Sequence, residues 1–412
     1  MRTKVLLITH CGVYPLLSGG SLAQYYFIDG LKNEVEYVYC TPIRSDKEKL
    51  NLDLLSSIRP DLKIYYFDAR EKNKRSSLSQ KLIAIKYRIV KSKRKVVESF
   101  SDDDYQDGYF YSVDHKFSNE YLVFINDVIN KENIKIVQCD FYETIDIPFA
   151  LPDTVKKIFV HHEVRSKRLE LSYSHSPMPV PFKDFIINKN KAYEEVCLKQ
   201  MDRVIVFNDD DARRLSPICK SIVVSPYAVP DELICERQSS KSFSHFIFLG
   251  GEGHTPNKLG LQWFLDEIYV PNIDVIKYDL FVLGRWGETV KQKYLAFDKI
   301  HFLGFVDSVE PYYENAILIN PVLSGAGLRT KILQTLVNKV PVLSTRFGAE
   351  GCFDADNSSH IGFFDNADEF NAFLNTISDK ELNVMAEKGF EYYQTQFGKE
   401  KLLSIRKSVY EF

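Results

Sequence analysis

The feature that most constrains this chain is a pair of series of short apolar runs, each rich in Val, Ile and Phe and each too short for a helix. The first series reads KVLLIT (4–9), IKIVQC (134–139), KIFVHH (157–162) and RVIVFN (203–208). The second reads HFIFLG (245–250), DLFVLG (279–284), KIHFLG (299–304), AILINP (316–321) and VPVLST (340–345). Runs that stay apolar rather than alternate suit strands buried on both faces, and such strands are parallel and joined by helical crossovers. Two doubly wound α/β halves are therefore expected. The length of 412 residues agrees, being too great for one core and ample for two.

Between the two series lies SPYAVPDELICERQSSKSFS (225–244), where prolines, serines and charges break both periodicities, so the boundary is placed near 230–243. The first domain is read as 1–230 and the second as 231–395. Helical patterns follow at 367–377, 380–396 and 398–411, more than five strands need for covering, and 396–412 is expected to pack back on the first domain. A formal charge of -3 gives no global attraction to nucleic acid. Seven scattered cysteines without C-x-x-C spacing suggest neither a disulfide framework nor a zinc knuckle, and fit a reducing cytoplasm. The N-terminal run reads as a buried strand rather than a signal segment, and no stretch approaches the roughly 18 apolar residues of a spanning helix.

In open α/β sheets ligands sit beyond the carboxyl ends of the strands, so two such sheets facing across a cleft are expected to carry their chemistry there. Five clusters fall at strand ends. HCGVYPLLSGGSLAQYYFIDGLK (10–32) has Gly19 and Gly20 ahead of a helical pattern from Ser21. The pair either brings backbone N–H groups to an anion or makes a plain tight turn, and the spacing is not the G-x-G-x-x-G dinucleotide fingerprint. VHHEVRSKR (160–168) follows a strand with His161 and His162. Adjacent residues of an extended chain point to opposite faces, so one histidine is expected at the site, and a metal shared by the pair is not, since no third ligand is spaced nearby. A purely structural hydrogen-bonding role is the alternative.

FLGGEGHTPNKLGLQWFLDEI (248–268) opens the second half with Gly250, Gly251 and Gly253 before a helical stripe, either a phosphate cradle or a packing turn. LGRWGE (283–288) places Gly284, Arg285 and Gly287 at another strand end, to contact a base or phosphate or simply to turn. In SGAGLRTKILQTL (324–336), Gly325 and Gly327 loosen a loop and Arg329 and Lys331 stand at a helix start. Ile332, Leu333, Leu336 and Val337 form its buried stripe, with Lys331, Gln334 and Asn338 on the other face. Cations at a helix N-terminus oppose its dipole by roughly 0.3–1 kcal/mol each unless an anion joins them. A diphosphate is such an anion, satisfying free N–H groups and both cations together. Two solvated surface cations are the alternative. Elsewhere, KNKRSSLSQKLIAIKYRIVKSKRK (72–95) holds ten Lys and Arg and no acid around a stripe of Leu78, Leu82, Ile85 and Ile89. It reads as a helix for the anionic face of a membrane or as a solvated helix on the first domain.

The stretches TPNKLGLQWFL (255–265), FLGFVDSVEPYYENA (302–316), INPVLSGAGLRTKILQTLVNKVPVLST (319–345) and GAEG (348–351) resemble family four of the retaining glycosyltransferases, the GT-B group that takes sugar from nucleotide diphosphates. LLSGGSLAQYYFIDGLK and YEEVCLKQMDRVIVFNDDDARRL (193–215) resemble the acceptor half more loosely. The resemblance implies two Rossmann-like domains, a nucleotide-sugar substrate with no further cofactor, and a glycan or lipid-linked acceptor, as in bacterial surface polysaccharide synthesis. It implies that Arg329 and Lys331 neutralise the donor diphosphate, whose negative charge grows as the glycosidic bond breaks. The loops at Gly250–Gly253 and Gly19-Gly20 would approach the donor, with His161 or His162 near the transferred sugar. Transfer in the family is front-face, the leaving diphosphate helping to take the acceptor's proton, and needs no metal. The carboxylates of NDDDARRL (208–215) accordingly read as a helix cap after Asn208.

One departure stands out. Many members carry E-x7-E, whose second glutamate binds the nucleotide ribose; Gln334 and Ala326 hold the two places here. Glutamine accepts a hydrogen bond from a ribose hydroxyl without the assistance of charge. Glu350, after the next strand, is a candidate replacement carboxylate. The departure motivates a second expectation, a GT-B-like nucleotide-sugar or glycan-binding subunit without catalysis. A nucleotide-sugar epimerase of the same architecture ranks last, for want of a persuasive carboxylate pair.

Overall fold

The computed structural model describes residues 2–16, 18–70, 117–173, 178–235, 242–325, 328–353 and 359–412. The basic segment 72–95, with its expected membrane contact, lies outside the described residues, as do Ala326 and Gly327. The chain divides into two compact units. Unit 1 comprises Met1–Val206, Asp211–Val224 and Lys407–Phe412; unit 2 comprises Phe207–Asp210 and Ser225–Arg406.

In unit 1, β1 (Thr3–Ile8), β2 (Val35–Ile43), β3 (Lys63–Asp68), β4 (Ile136–Asp140), β5 (Lys156–Val160), β6 (Arg203–Val206) and β7 (Ile222–Val224) form one parallel sheet in the order β3-β2-β1-β4-β5-β6-β7. Every residue of β4 is buried, as a strand covered on both faces demands. The crossovers are α1 (Gly19–Gly30), α2 (Asp46–Ile58), α3 (Asn119–Glu132), α4 (Arg165–Tyr173), α5 (Val180–Leu198) and α6 (Asp209–Leu215). In α3, Tyr121, Ile125, Val128 and Ile129 recur at helical spacing and enter the core. The Ser118 side chain caps its start and Asn133, in the left-handed region at φ 51°, ends it. Helix α6 starts directly after Asn208, where the acidic run was read as a cap.

Unit 2 repeats the plan. Strands β8 (His245–Leu249), β9 (Asp279–Leu283), β10 (Ile300–Gly304), β11 (Ala316–Asn320), β12 (Val342–Ser344) and β13 (Gly362–Phe363) run parallel in the order β10-β9-β8-β11-β12-β13. Its helices are α7 (Thr255–Trp263), α8 (Glu288–Tyr294), α9 (Thr330–Val337), α10 (Arg346–Ala349), α11 (Ala367–Thr376), α12 (Asp379–Gln396) and α13 (Lys399–Ser408). After α7 the backbone widens to π-helical spacing over Phe264–Tyr269 and buries Phe264, Leu265, Ile268 and Tyr269. Phe264 packs edge-on to Phe370 with ring centroids 5.4 Å apart, and Phe364 meets Phe370 at 5.1 Å. Such pairs add about 0.5–1.5 kcal/mol beyond area burial. In each unit the strand order reverses once, between β1 and β4 and between β8 and β11, and such reversals open the crevice where doubly wound sheets bind ligands.

Candidate active site

In unit 2 the loops after β8 and its neighbour β9, beside the reversal point, are built on glycines. Gly250 follows β8 at φ 149° and Gly284 follows β9 at φ 144°, backbone that only glycine adopts readily. A Cβ on Gly284 would sit 2.3 Å from the Gly250 carbonyl oxygen, so the two loops pack at a distance no side chain permits. Trp286 Nε1 donates to that oxygen at 2.9 Å and pins the turn. The turn then enters α7, whose buried Asn257 fills the space beside Gly250, where a Cβ would lie 2.4 Å from its Nδ2.

Lys331 reaches the same place from the first turn of α9, the helix that follows β11. Its Nζ donates to Asn257 Oδ1 at 2.8 Å and lies 4.9 Å from the Phe248 ring centroid. The residue as a whole is half-buried, but its ammonium is the desolvated end. Burial first, and repulsion from Arg329 second, lower its pKa to about 7. Among the described residues no carboxylate contributes to that balance. Arg329, buried at the N-cap of α9, sets its guanidinium 5.5 Å from the Phe347 ring centroid. Gly325, at φ 109°, lets the loop close on them, since a Cβ there would lie 3.1 Å from Pro256 and 3.4 Å from Arg329 Nη1.

Gly250, Gly251, Gly325, Arg329 and Lys331 are thus brought together with Asn257, which sequence reasoning passed over. Its signal was an asparagine in the first turn of the helix that directly follows the glycine loop. Gly253 stands exposed with nothing near its Cβ position. Arg285 is exposed and its guanidinium lies 5.2 Å from the Phe305 ring centroid. Gln334 is half-buried on α9, and Glu350 is exposed at the end of α10. Two cations, loop amides and a helix start in a desolvated setting suit an oxyanion ligand.

In unit 1 the two histidines part. His161, 1% exposed, joins its Nε2 to Glu194 Oε1 at 2.8 Å. Glu194 also accepts from Arg165 N at 3.0 Å and Ser166 Oγ at 3.0 Å. Burial alone pushes the Glu194 carboxyl up, but these hydrogen bonds outweigh it and hold the group below the usual range. This is a structural arrangement. His162 stacks on Phe141 with ring centroids 4.0 Å apart, and its Nε2 lies 3.5 Å from Asp140 Oδ1 at the end of β4. Helix α1 starts at Gly19 rather than Ser21, capped by the Ser18 side chain on the Ser21 amide. A Cβ on Gly20 would meet the Phe141 ring at 2.5 Å, so the second glycine makes room for the ring that His162 stacks on. Phe141 itself sits at φ 73°, a conformation that costs a bulky residue energy and gathers at functional sites.

Residues 244–379 match the family model described as Glycosyl transferases group 1. Sucrose-phosphate synthase from Thermosynechococcus elongatus superposes at a TM-score of 0.69 with 11% identity, covering 99% of this chain and 98% of that one. A variant of TarM from S. aureus, in complex with fondaparinux, α-GlcNAc-glycerol and UDP, gives 0.65 with 12% identity and full coverage of both chains, 100% each. HepE from Anabaena, in complex with UDP-glucose, gives 0.62 with 10% identity, covering 99% of this chain and 100% of that one. No curated protein matches the chain in sequence. Residues 244–379, within the second unit, therefore match a group 1 glycosyltransferase domain, in a chain that has the GT-B fold.

Proposed function

We propose that this protein is a retaining, metal-independent glycosyltransferase of the hexosyl type that uses a nucleotide-diphosphate sugar. Its acceptor is read as a glycan or a lipid-linked sugar, in the synthesis of bacterial surface polysaccharide. The place of work is the cytoplasm, with residues 72–95 as a peripheral membrane contact. The observation that carries the reading is Lys331: a desolvated ammonium, held on a neutral amide at the switch point of a glycosyltransferase domain, where an arriving diphosphate supplies the missing negative charge. Arg329 is the second cation, and the N–H of Gly251 the backbone donor, since the Gly250 N–H is already given to the Leu283 carbonyl oxygen at 2.9 Å.

In the reaction, the bond between the sugar's anomeric carbon and the diphosphate oxygen breaks and its electrons pass to the diphosphate. The acceptor hydroxyl oxygen bonds to the same face of that carbon, and its proton goes to the departing phosphate oxygen. Arg329 and Lys331 stabilise the charge that develops. His162, rather than His161, is the histidine assigned to the transferred sugar, because His161 is committed to Glu194.

A second reading, a nucleotide-sugar-binding subunit without turnover, is favoured by Gln334 in place of the family's ribose-binding glutamate. Incubation with UDP, GDP and ADP sugars separates the two: slow donor hydrolysis supports the enzyme, and binding without nucleotide release supports the subunit. The double variant Arg329→Ala, Lys331→Ala should abolish turnover or donor binding with the fold intact by circular dichroism. Unaltered donor use in that variant overturns the diphosphate assignment.

A further inference from the structure

We propose that Tyr410 is a positioning residue for His162, acting through Gln138 and Asp140; this rests on the reading of His162 as the group at the transferred sugar. The segment that carries Tyr410 is fixed to unit 1 at several points. Arg203 Nη1 donates to the carbonyl oxygens of Ser408 at 3.1 Å and Val409 at 2.6 Å, and Lys407 pairs with Glu34 at 2.7 Å. Tyr410 is buried, its hydroxyl donating to Gln138 Oε1 at 2.6 Å and lying 3.1 Å from the Tyr37 hydroxyl.

That donation fixes one end of an amide whose other end Asp140 holds. Oxygen and nitrogen ends of a glutamine are nearly the same shape, so only partners choose between them. With Oε1 taken by Tyr410, the amide nitrogen of Gln138 must face the other way, and it donates to Asp140 Oδ2 at 3.1 Å. Gln24 Nε2 donates to the same oxygen at 2.8 Å. Both amides converge on Oδ2 and leave Oδ1 toward His162 Nε2 at 3.5 Å. This last separation is longer than a good hydrogen bond, so the carboxylate's hold on the ring depends on its being kept still. Asp140 and Phe141, consecutive in the chain, thus face the ring at its edge and stack on its face.

Without the Tyr410 hydroxyl the Gln138 oxygen is buried with its main donor gone, and the side chain shifts to recover one, loosening the donation from Nε2 that holds Asp140 Oδ2. The imidazole tautomer follows, since one ring nitrogen's partner sets the state of the other. The shared burial of Gln24, Tyr37, Gln138, Asp140 and Tyr410 keeps water from substituting for the lost donor.

The test uses the full chain carrying Tyr410→Phe, labelled with 15N-histidine. The signal of His162 among the nine histidines is assigned by its loss in His162→Gln. The wild type should show His162 with its proton on Nε2. Tyr410→Phe should show a mixture with the Nδ1 form and a kcat reduced on the order of tenfold, with donor KM unchanged, short of the ~10²-fold cost of an ångström of misplacement. Lys407→Ala, which removes another anchor of the same segment, should leave the tautomer alone. If Tyr410→Phe folds poorly, Gln138→Met, which removes the amide at similar volume, should produce the same mixture. An unmoved His162 signal in the folded variant overturns the positioning role, whether or not His162→Gln is inactive. A moved signal with intact turnover keeps the positioning and overturns the catalytic reading of His162.

Discussion

Lys331 Nζ and Asn257 Oδ1 meet at 2.8 Å, joining the helix after β11 to the helix after β8 through one neutral hydrogen bond. A carboxylate at position 257 would satisfy the ammonium better and spoil it for an anion. Asn257→Ala should weaken nucleotide-sugar binding by about 1–3 kcal/mol, the usual cost of leaving such a group without its partner. Asn257→Asp should weaken it too while raising the melting temperature. Isothermal titration and thermal unfolding read both; unchanged affinity in the two variants takes Asn257 out of the donor site.

The lowered pKa of Lys331 has a sign that can be measured. It falls from an ordinary 10.5 to about 7 in the folded protein. Between those values the unfolded chain binds the proton more tightly, so this group's contribution makes stability rise as pH climbs from about 7 towards 10.5. A diphosphate favours the ammonium and restores its pKa. Binding of a nucleotide sugar at pH 8 should therefore take up a proton, seen as a dependence of the binding heat on buffer ionisation enthalpy. The dependence should vanish in Lys331→Met; the same dependence in both proteins assigns the proton elsewhere.

Two glycines of one loop should behave oppositely. Gly250→Ala forces a Cβ against Asn257 at φ 149° and should cost about 1–3 kcal/mol, with loss of donor binding. Gly253→Ala meets open space and should change neither property measurably. Denaturant unfolding of the pair decides, and equal stabilities refute the packing described for Gly250.

The histidine doublet should also split. His161→Ala strands Glu194 and should destabilise by about 3–5 kcal/mol, as breaking a buried pair does. His162→Ala leaves the core intact and should lower turnover by about 10²-fold, the cost of an ångström of misplacement at the reacting sugar. Large stability loss at 162 with little at 161 reverses the assignment.

The strands that could be read from the chain were those with unbroken aliphatic character: β1, β4, β5 and β6, then β8 to β12. β2 (VEYVYCTPI) escaped because tyrosines, a cysteine and a threonine interrupt the apolar run, although all but one of its residues are buried. β3 is an edge strand of mixed exposure, and β7 has three residues, too few for any periodicity to register. The loops of unit 2 were legible because glycine and lysine at strand ends are unusual chemistry in a local window. Which histidine turns inward was not, because Glu194 and Asp140 arrive from elsewhere in the chain. The positive φ of Phe141 carries no sequence signal at all, since a bulky aromatic residue is not one that a local window places there.

Tyr410 and Gln138 are separated by 272 positions. At synthesis rates of roughly 5–20 residues per second, Gln138 is made about 14–54 s before its partner exists. During that interval the nascent first sheet holds an amide with no tyrosine to meet it, and Arg203 waits likewise for the carbonyls of Ser408 and Val409. Unit 1 therefore closes only with residues made after the Ser225–Arg406 stretch of unit 2, so its sheet spends that stretch of synthesis without the last of its partners.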